Sequence, residues 1–300
     1  MSVGEINLPK LVERFGSEDK CHAYLEELRW PDGVKCPRCS STKISRIKAR
    51  RQFDCDGCRY QFSVRVGTVL QDSKLPLWKW FLAVYMISES RKGISANQLH
   101  RMLGVSYKTA WFLCHRIRSA MHDESGELLS GIVEIDETYI GGKARGKGQG
   151  YRGNKVMVMG AIERGGKLRV KAMPKKGLDK KSAREFVAEN VADDATAIYT
   201  DESGGYPDLT DWNTLHRRVN HSEDEYVRGD IHTNTVESAW SLFDRAVIGA
   251  YHKLSVKHMP AYLDEFAFRF NNRENPFLFR DTILALVEAD ALTFEALTKS

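Results

Sequence analysis

Two Cys-x-x-Cys pairs, Cys36-Pro-Arg-Cys39 and Cys55-Asp-Gly-Cys58, stand fifteen residues apart, and no other feature of the chain restricts its folding as much. That spacing suits a tetrahedral site of four thiolates, in which each knuckle presents two sulfurs about 2.3 Å from one zinc. A β-ribbon over 43–53 is expected to bring the knuckles together. Binding on the order of 10 kcal/mol or more then substitutes for the core that so short a segment cannot build. No ligand position is left open, so the expected Zn2+ on Cys36, Cys39, Cys55 and Cys58 is structural.

The other two cysteines, Cys21 and Cys114, stand alone in helix-like segments, which favours a reducing compartment over a disulfide framework. Residues 1–20 lack a basic start followed by an apolar run. The most apolar stretch, 75–88, is interrupted by Lys79 and too short to span a bilayer. A cytoplasmic protein with no membrane partner is the expectation. The net charge of +5 is concentrated: 29–65 holds ten Lys/Arg against Asp32, Asp54 and Asp56, a local +7 that leaves −2 for the rest. So focused a field suits a polyanion. Arg46, Lys48, Arg50 and Arg51 are the candidate phosphate contacts of the ribbon, although a solvated charge run would read the same way.

The 300 residues, 42% hydrophobic, suffice for one large or two to three small domains. Helical spacing over 5–30 ends at Trp30-Pro31-Asp32-Gly33. Three helices are expected over 76–90, 95–103 and 106–121, with Ser95 and Ser106 as N-caps and Gly104-Val105 between the last two. That is a helix-turn-helix arrangement, leaving Tyr107, Lys108, Thr109, Arg116 and Arg118 to face a DNA groove. Many three-helix bundles share the pattern without binding DNA. From Gly131 the texture turns to strands at 132–140, 155–163 and 167–172, a helix at 178–191 and a strand at 195–200, which describes a mixed sheet with helical cover.

Three acids sit where such a sheet can gather them. Asp136 lies near the end of one apolar strand and Asp201 ends another. Glu237 follows thirty-six residues later, beside the helical stripe Val236, Trp240, Phe243 and Val247. Carboxylates so placed can bind a pair of hard cations about 4 Å apart for in-line phosphoryl transfer. Forty Asp and Glu residues supply many such triples, so spacing alone does not single this one out. Asn234 is a candidate either to orient Glu237 or to cap its helix with Glu237 at N3, and His232 is a weaker partner of the same acid. The Gly-rich loop 141–155 holds five cations and no acid, and Lys143, Arg145, Lys147 and Arg152 are its candidate phosphate contacts.

Val133-Glu-Ile-Asp-Glu-Thr-Tyr-Ile-Gly-Gly-Lys143, Tyr199-Thr-Asp-Glu202, Val219-Asn-His-Ser222, Tyr226-Val-Arg-Gly-Asp-Ile-His-Thr-Asn-Thr-Val-Glu-Ser238, Gly249-Ala-Tyr-His252 and Tyr262-Leu-Asp-Glu-Phe-Ala-Phe-Arg-Phe-Asn-Asn-Arg273 resemble insertion-sequence transposases of the ISXO-like, zinc-ribbon-bearing DDE group. The likeness extends over essentially the whole chain. It implies a multidomain α+β protein: an N-terminal helical segment (1–30), a zinc ribbon (31–68), a helix-turn-helix (75–124) and an RNase H-like catalytic domain (130–300). It also implies that Asp136, Asp201 and Glu237 hold catalytic Mg2+ or Mn2+. One departure is Asp244-Arg245, where the family tends to show a Lys-Arg pair.

Such an enzyme binds double-stranded DNA, both transposon ends and target, as a homodimer or larger assembly. The resemblance implies a bacterial protein, nucleoid-associated when bound to DNA. It cleaves by hydrolysis and joins the freed 3′-hydroxyl to target DNA, with no side-chain nucleophile. Two other readings compete: a nuclease on the same fold that cuts without joining, and a DNA-binding regulator in which ribbon and helix-turn-helix act alone.

Overall fold

The computed structural model describes residues 6–123, 125–141, 155–173, 177–201, 206, 214–219 and 230–299. The chain divides into two compact units, Met1–His122 with Glu274–Ser300, and Asp123–Arg273.

In the first unit the helical run expected over 5–30 is two helices, α1 (Leu8–Phe15) and α2 (Glu18–Arg29), broken at Gly16-Ser17. Asn7 and Ser17 cap them by accepting the N–H groups of Lys10 and Lys20. The ribbon that follows is a three-stranded antiparallel sheet of β1 (Ile44–Ile47), β2 (Gln52–Cys55) and β3 (Gln61–Phe62). Arg51, left-handed at φ 50°, closes the turn between β1 and β2. Phe53 and Phe62 pair across strands with Trp30 edge-on to Phe53 at 5.4 Å, a small apolar floor under the knuckles. Then come α3 (Leu77–Ser88), α4 (Ala96–Leu103) and α5 (Tyr107–Ser119). Ser95 and Ser106 cap α4 and α5, each accepting an N–H at 3.1 Å. Left-handed Gly104 stops α4, so α4 and α5 form the expected helix-turn-helix.

The second unit is built on a five-stranded mixed sheet. Its elements are β4 (Ile132–Ile140), β5 (Val156–Glu163), β6 (Leu168–Ala172), α6 (Lys180–Asn190), β7 (Ala197–Asp201), β8 (Leu215–Val219), α7 (Asn234–Ala246) and α8 (Met259–Asn271). The sheet order is β6-β5-β4-β7-β8; β4, β5 and β6 are antiparallel, while β7 runs parallel to β4 and β8 to β7. Strand alternation decides which helix each side chain meets. Val133, Ile135, Met157 and Met159 pack against Phe186 and Val187 of α6. Val158 and Ile162 pack on the opposite face, against Val236, Trp240 and Phe243 of α7 and Leu263 and Phe266 of α8. This is the multidomain α+β architecture expected from the sequence.

The chain then returns to the first unit through α9 (Leu278–Glu288) and α10 (Phe294–Thr298). Phe279 meets Phe15 and Phe81 at ring separations of 5.7 and 5.8 Å, and Phe294 meets Phe112 at 5.5 Å. Sequence alone placed 274–300 with the catalytic sheet. The apolar stripe Leu278, Phe279, Ile283 and Leu286 instead completes the helical core around α2 and α3, a pairing that no local pattern encodes. Among the described residues no helix is long and apolar enough to cross a membrane.

Candidate active site

Asp136 lies in the middle strand of the sheet, opposite Gly160 of β5, and the parallel register Ile135↔Thr200 sets it level with Asp201, the last residue of β7. The carboxylate oxygens offered by Asp136, Asp201 and Glu137 lie within 4.8 Å of one another. Burial pushes the Asp136 carboxyl up to about 7, and the negative charges of Glu137, Asp201 and Glu237 push in the same direction. Tyr206 donates to Glu137 at 2.8 Å, fixing that side chain at the edge of the group. Like charges gathered in a half-buried place repel until a cation neutralises them, and hard oxygen donors at this spacing fit a divalent metal.

Glu237 stands outside that 4.8 Å grouping, although its charge is felt at Asp136. Its Oε1 accepts the hydroxyl of Thr233 at 2.8 Å. Asn234, a candidate either to orient Glu237 or to cap its helix, is the first residue of α7 and exposed, and Thr233 holds the cap position instead. The physical reason lies on β4. Glu134, wholly buried, accepts the N–H of Thr235 at 2.7 Å and of Val236 at 3.2 Å, the two donors an N-cap side chain would have taken. His232, expected beside Glu237, has its Nδ1 3.0 Å from an Arg164 nitrogen and 3.2 Å from Glu134 Oε1. Sequence reading missed Glu134, Glu137 and Thr233. The one available signal was an acid at position 134 sharing strand parity with Asp136.

In the ribbon the four sulfurs of Cys36, Cys39, Cys55 and Cys58 also fall within 4.8 Å of one another. The Cys36–Cys58 and Cys39–Cys55 separations are 3.7 and 3.5 Å, close to the roughly 3.8 Å edge of a tetrahedron with 2.3 Å zinc–sulfur bonds and far from a disulfide. Burial pushes the Cys55 thiol up, but the Cys58 and Gly57 N–H groups and the Cys39 thiol outweigh it and bring it down to about 7. The Cys58 thiol of the same knuckle and the Cys39 thiol are pushed up, so the clustered sulfurs share protons that a metal would displace, as at a structural zinc site.

Candidate DNA contacts divide by exposure. Lys48 and Arg50 are exposed on the ribbon turn. Arg46 pairs with Glu26, and Arg51 with Asp19 at 2.8 Å, both acids on α2. Tyr107, Lys108 and Thr109 are exposed at the start of α5; the Lys108 ammonium sits 4.5 Å from the Phe294 ring centroid and the Thr109 hydroxyl 2.9 Å from that of Ser106. Arg116 and Arg118, expected to face a groove, are 5% and 1% exposed. Arg116 lies over Trp80 and Phe112 and donates to the Gln71 carbonyl at 2.5 Å, because its turn of α5 faces α3 rather than solvent. Lys143, Arg145, Lys147 and Arg152 lie outside the described residues.

A mixed sheet with clustered carboxylates, in a chain that also folds a four-thiolate ribbon, offers places for a hard cation and for zinc, as a metal-dependent enzyme of nucleic-acid processing requires. Comparison with known proteins agrees. Residues 128–271 match the ISXO2-like transposase domain and residues 16–61 the transposase zinc-ribbon domain. An uncharacterized protein in transposable element ISH50 of Halobacterium salinarum is 33% identical over 279 residues, covering 86% of this chain and 92% of that protein. The chain belongs to the ISXO2-like transposase family.

Proposed function

We propose that this transposase binds the ends of its insertion sequence, cuts DNA there by hydrolysis and joins the 3′-hydroxyl ends to target DNA. The observation that carries the reading is the level placement of Asp136 and Asp201 on parallel strands, with the Asp136 proton held by burial and by surrounding acids. Asp136, Asp201 and Glu237 are assigned as the ligands of Mg2+ or Mn2+. Bound there, divalent ions supply Lewis-acid stabilisation of the charge that develops in in-line phosphoryl transfer. The protein's own part is to hold the carboxylates from two strands and a helix in one place and to orient Glu237 through Thr233.

End recognition is assigned to the ribbon at 31–68 and the helix-turn-helix at 75–124, with Lys48, Arg50, Tyr107 and Lys108 as the exposed contacts. Arg46 and Arg51 join them by exchanging α2 carboxylates for phosphates. Two ends must be handled together, so the working form is a homodimer or larger assembly. A second assignment, with Glu137 rather than Glu237 as the third carboxylate, is favoured by the place of Glu137 within the 4.8 Å group.

The test is a strand-transfer assay with the element's own labelled ends and Mg2+ or Mn2+. Wild type nicks and joins, while Asp136→Asn binds without cutting. Normal cutting by Asp136→Asn would overturn the site. Nicking without joining would leave a nuclease. Loss of activity in Glu237→Gln but not Glu137→Gln selects the first assignment, and the converse selects the second.

A further inference from the structure

Glu134 has no exposed surface, yet it is an acid in a strand whose neighbours Val133 and Ile135 are core. An ion so placed persists only where its lone pairs are filled. Here they are filled from three directions. Oε1 accepts Arg164 Nε at 2.6 Å and the Thr235 hydroxyl at 2.8 Å; Oε2 accepts the Thr235 and Val236 N–H groups at 2.7 and 3.2 Å. Arg164 extends the grip by donating to the carbonyls of Asp230 at 2.8 Å and His232 at 3.1 Å, so the approach to α7 is tied to the same carboxylate as its first turn. Its guanidinium lies over the Tyr199 ring, 5.0 Å from the centroid, which links the cluster to β7, the strand that ends in Asp201.

Glu134 is two residues before Asp136 on one strand, and the amides it holds are two and one residues before Glu237. We propose that Glu134 and Arg164 form an internal latch that pins the N-terminus of α7 to β4 and so sets Glu237 against Asp136. Glu134 is a positioning residue, since it touches no reacting atom. The inference rests on the assignment of Asp136 and Glu237 as metal ligands. A helix start capped by a carboxylate of the sheet, rather than by its own N-cap, makes the carboxylate spacing a property of one rigid cluster.

Glu134→Gln and Arg164→Lys, in the full zinc-loaded chain, test the latch. The first can accept both amides only by turning its NH2 toward Arg164 Nε and the Thr235 hydroxyl, donors facing a donor, and the second keeps the charge but loses the fork. Mg2+ affinity by titration calorimetry is expected to fall tenfold or more in Glu134→Gln and by a lesser factor in Arg164→Lys. Amide exchange of metal-free protein should accelerate at Thr235 and Val236 while the sheet stays protected. The latch is overturned if both variants bind Mg2+ as the parent does with unchanged exchange, or if protection is lost evenly across the sheet. Asp136→Asn separates the two ideas: Mg2+ binding unchanged there overturns the site and the latch with it, whereas binding lost there but kept in Glu134→Gln overturns the latch alone.

Discussion

Trp240 rests directly on Gly160: a Cβ on that glycine would come within 2.4 Å of Trp240 Cζ2. Gly160 is the register partner of Asp136, and Trp240 is one helical turn beyond Glu237. The missing side chain therefore lets α7 lie against the sheet beside the first acid.

Gly160→Ala should force that contact apart. Overpacking of this kind costs about 1–3 kcal/mol. We expect a lower unfolding midpoint together with weaker Mg2+ binding. A variant with unchanged midpoint and unchanged metal affinity would show that α7 does not depend on the close approach.

Asp136 makes the metal-free protein sensitive to pH in a definite direction. Its carboxyl is raised from 3.8 to about 7, so the folded chain binds this proton more tightly than the unfolded one. Stability contributed here is present in acid and is lost as pH rises from about 4 to 7. In chelator the unfolding midpoint should fall across that window, and Asp136→Asn should remove this part of the slope. Added Mg2+ should raise the midpoint more at pH 8 than at pH 5. Identical slopes for parent and Asp136→Asn would rule out the raised proton affinity.

Cys55 is fully buried in the ribbon. Cys55→Ser should release zinc, measured by metal analysis, and unfold the ribbon, because zinc binding of about 10 kcal/mol or more carries the folding of so small a module. Specific end binding in a gel-shift assay should disappear with it. Retained specific binding without zinc would assign recognition elsewhere.

Buried and exposed cations should separate in salt titrations of DNA binding. Lys48→Gln and Arg50→Gln should each weaken binding and reduce the salt slope by about one. Arg116→Gln should leave the slope unchanged and lower the unfolding midpoint, since Arg116 is inside the helical core. A slope change for Arg116→Gln would contradict its buried placement.

Much of this molecule was legible along the chain because the governing interactions are local. Knuckle spacing specified a four-sulfur cluster, Ser95, Ser106 and Gly104 marked the limits of two helices, and strand-like apolar runs marked β4 and β5. Tertiary structure alone decided the rest. Periodicity says which face of an element is apolar but not what will cover it, so Arg116 and Arg118 turned inward and the tail at 274–300 joined the first unit. Nor does it say which acid a distant helix will need: Glu134 looks like any polar residue of a strand until α7 brings two unpaired amides to it. Local hydrogen bonding and ligand spacing are written within a few residues, whereas the partner of a buried charge is chosen by packing between segments about a hundred residues apart.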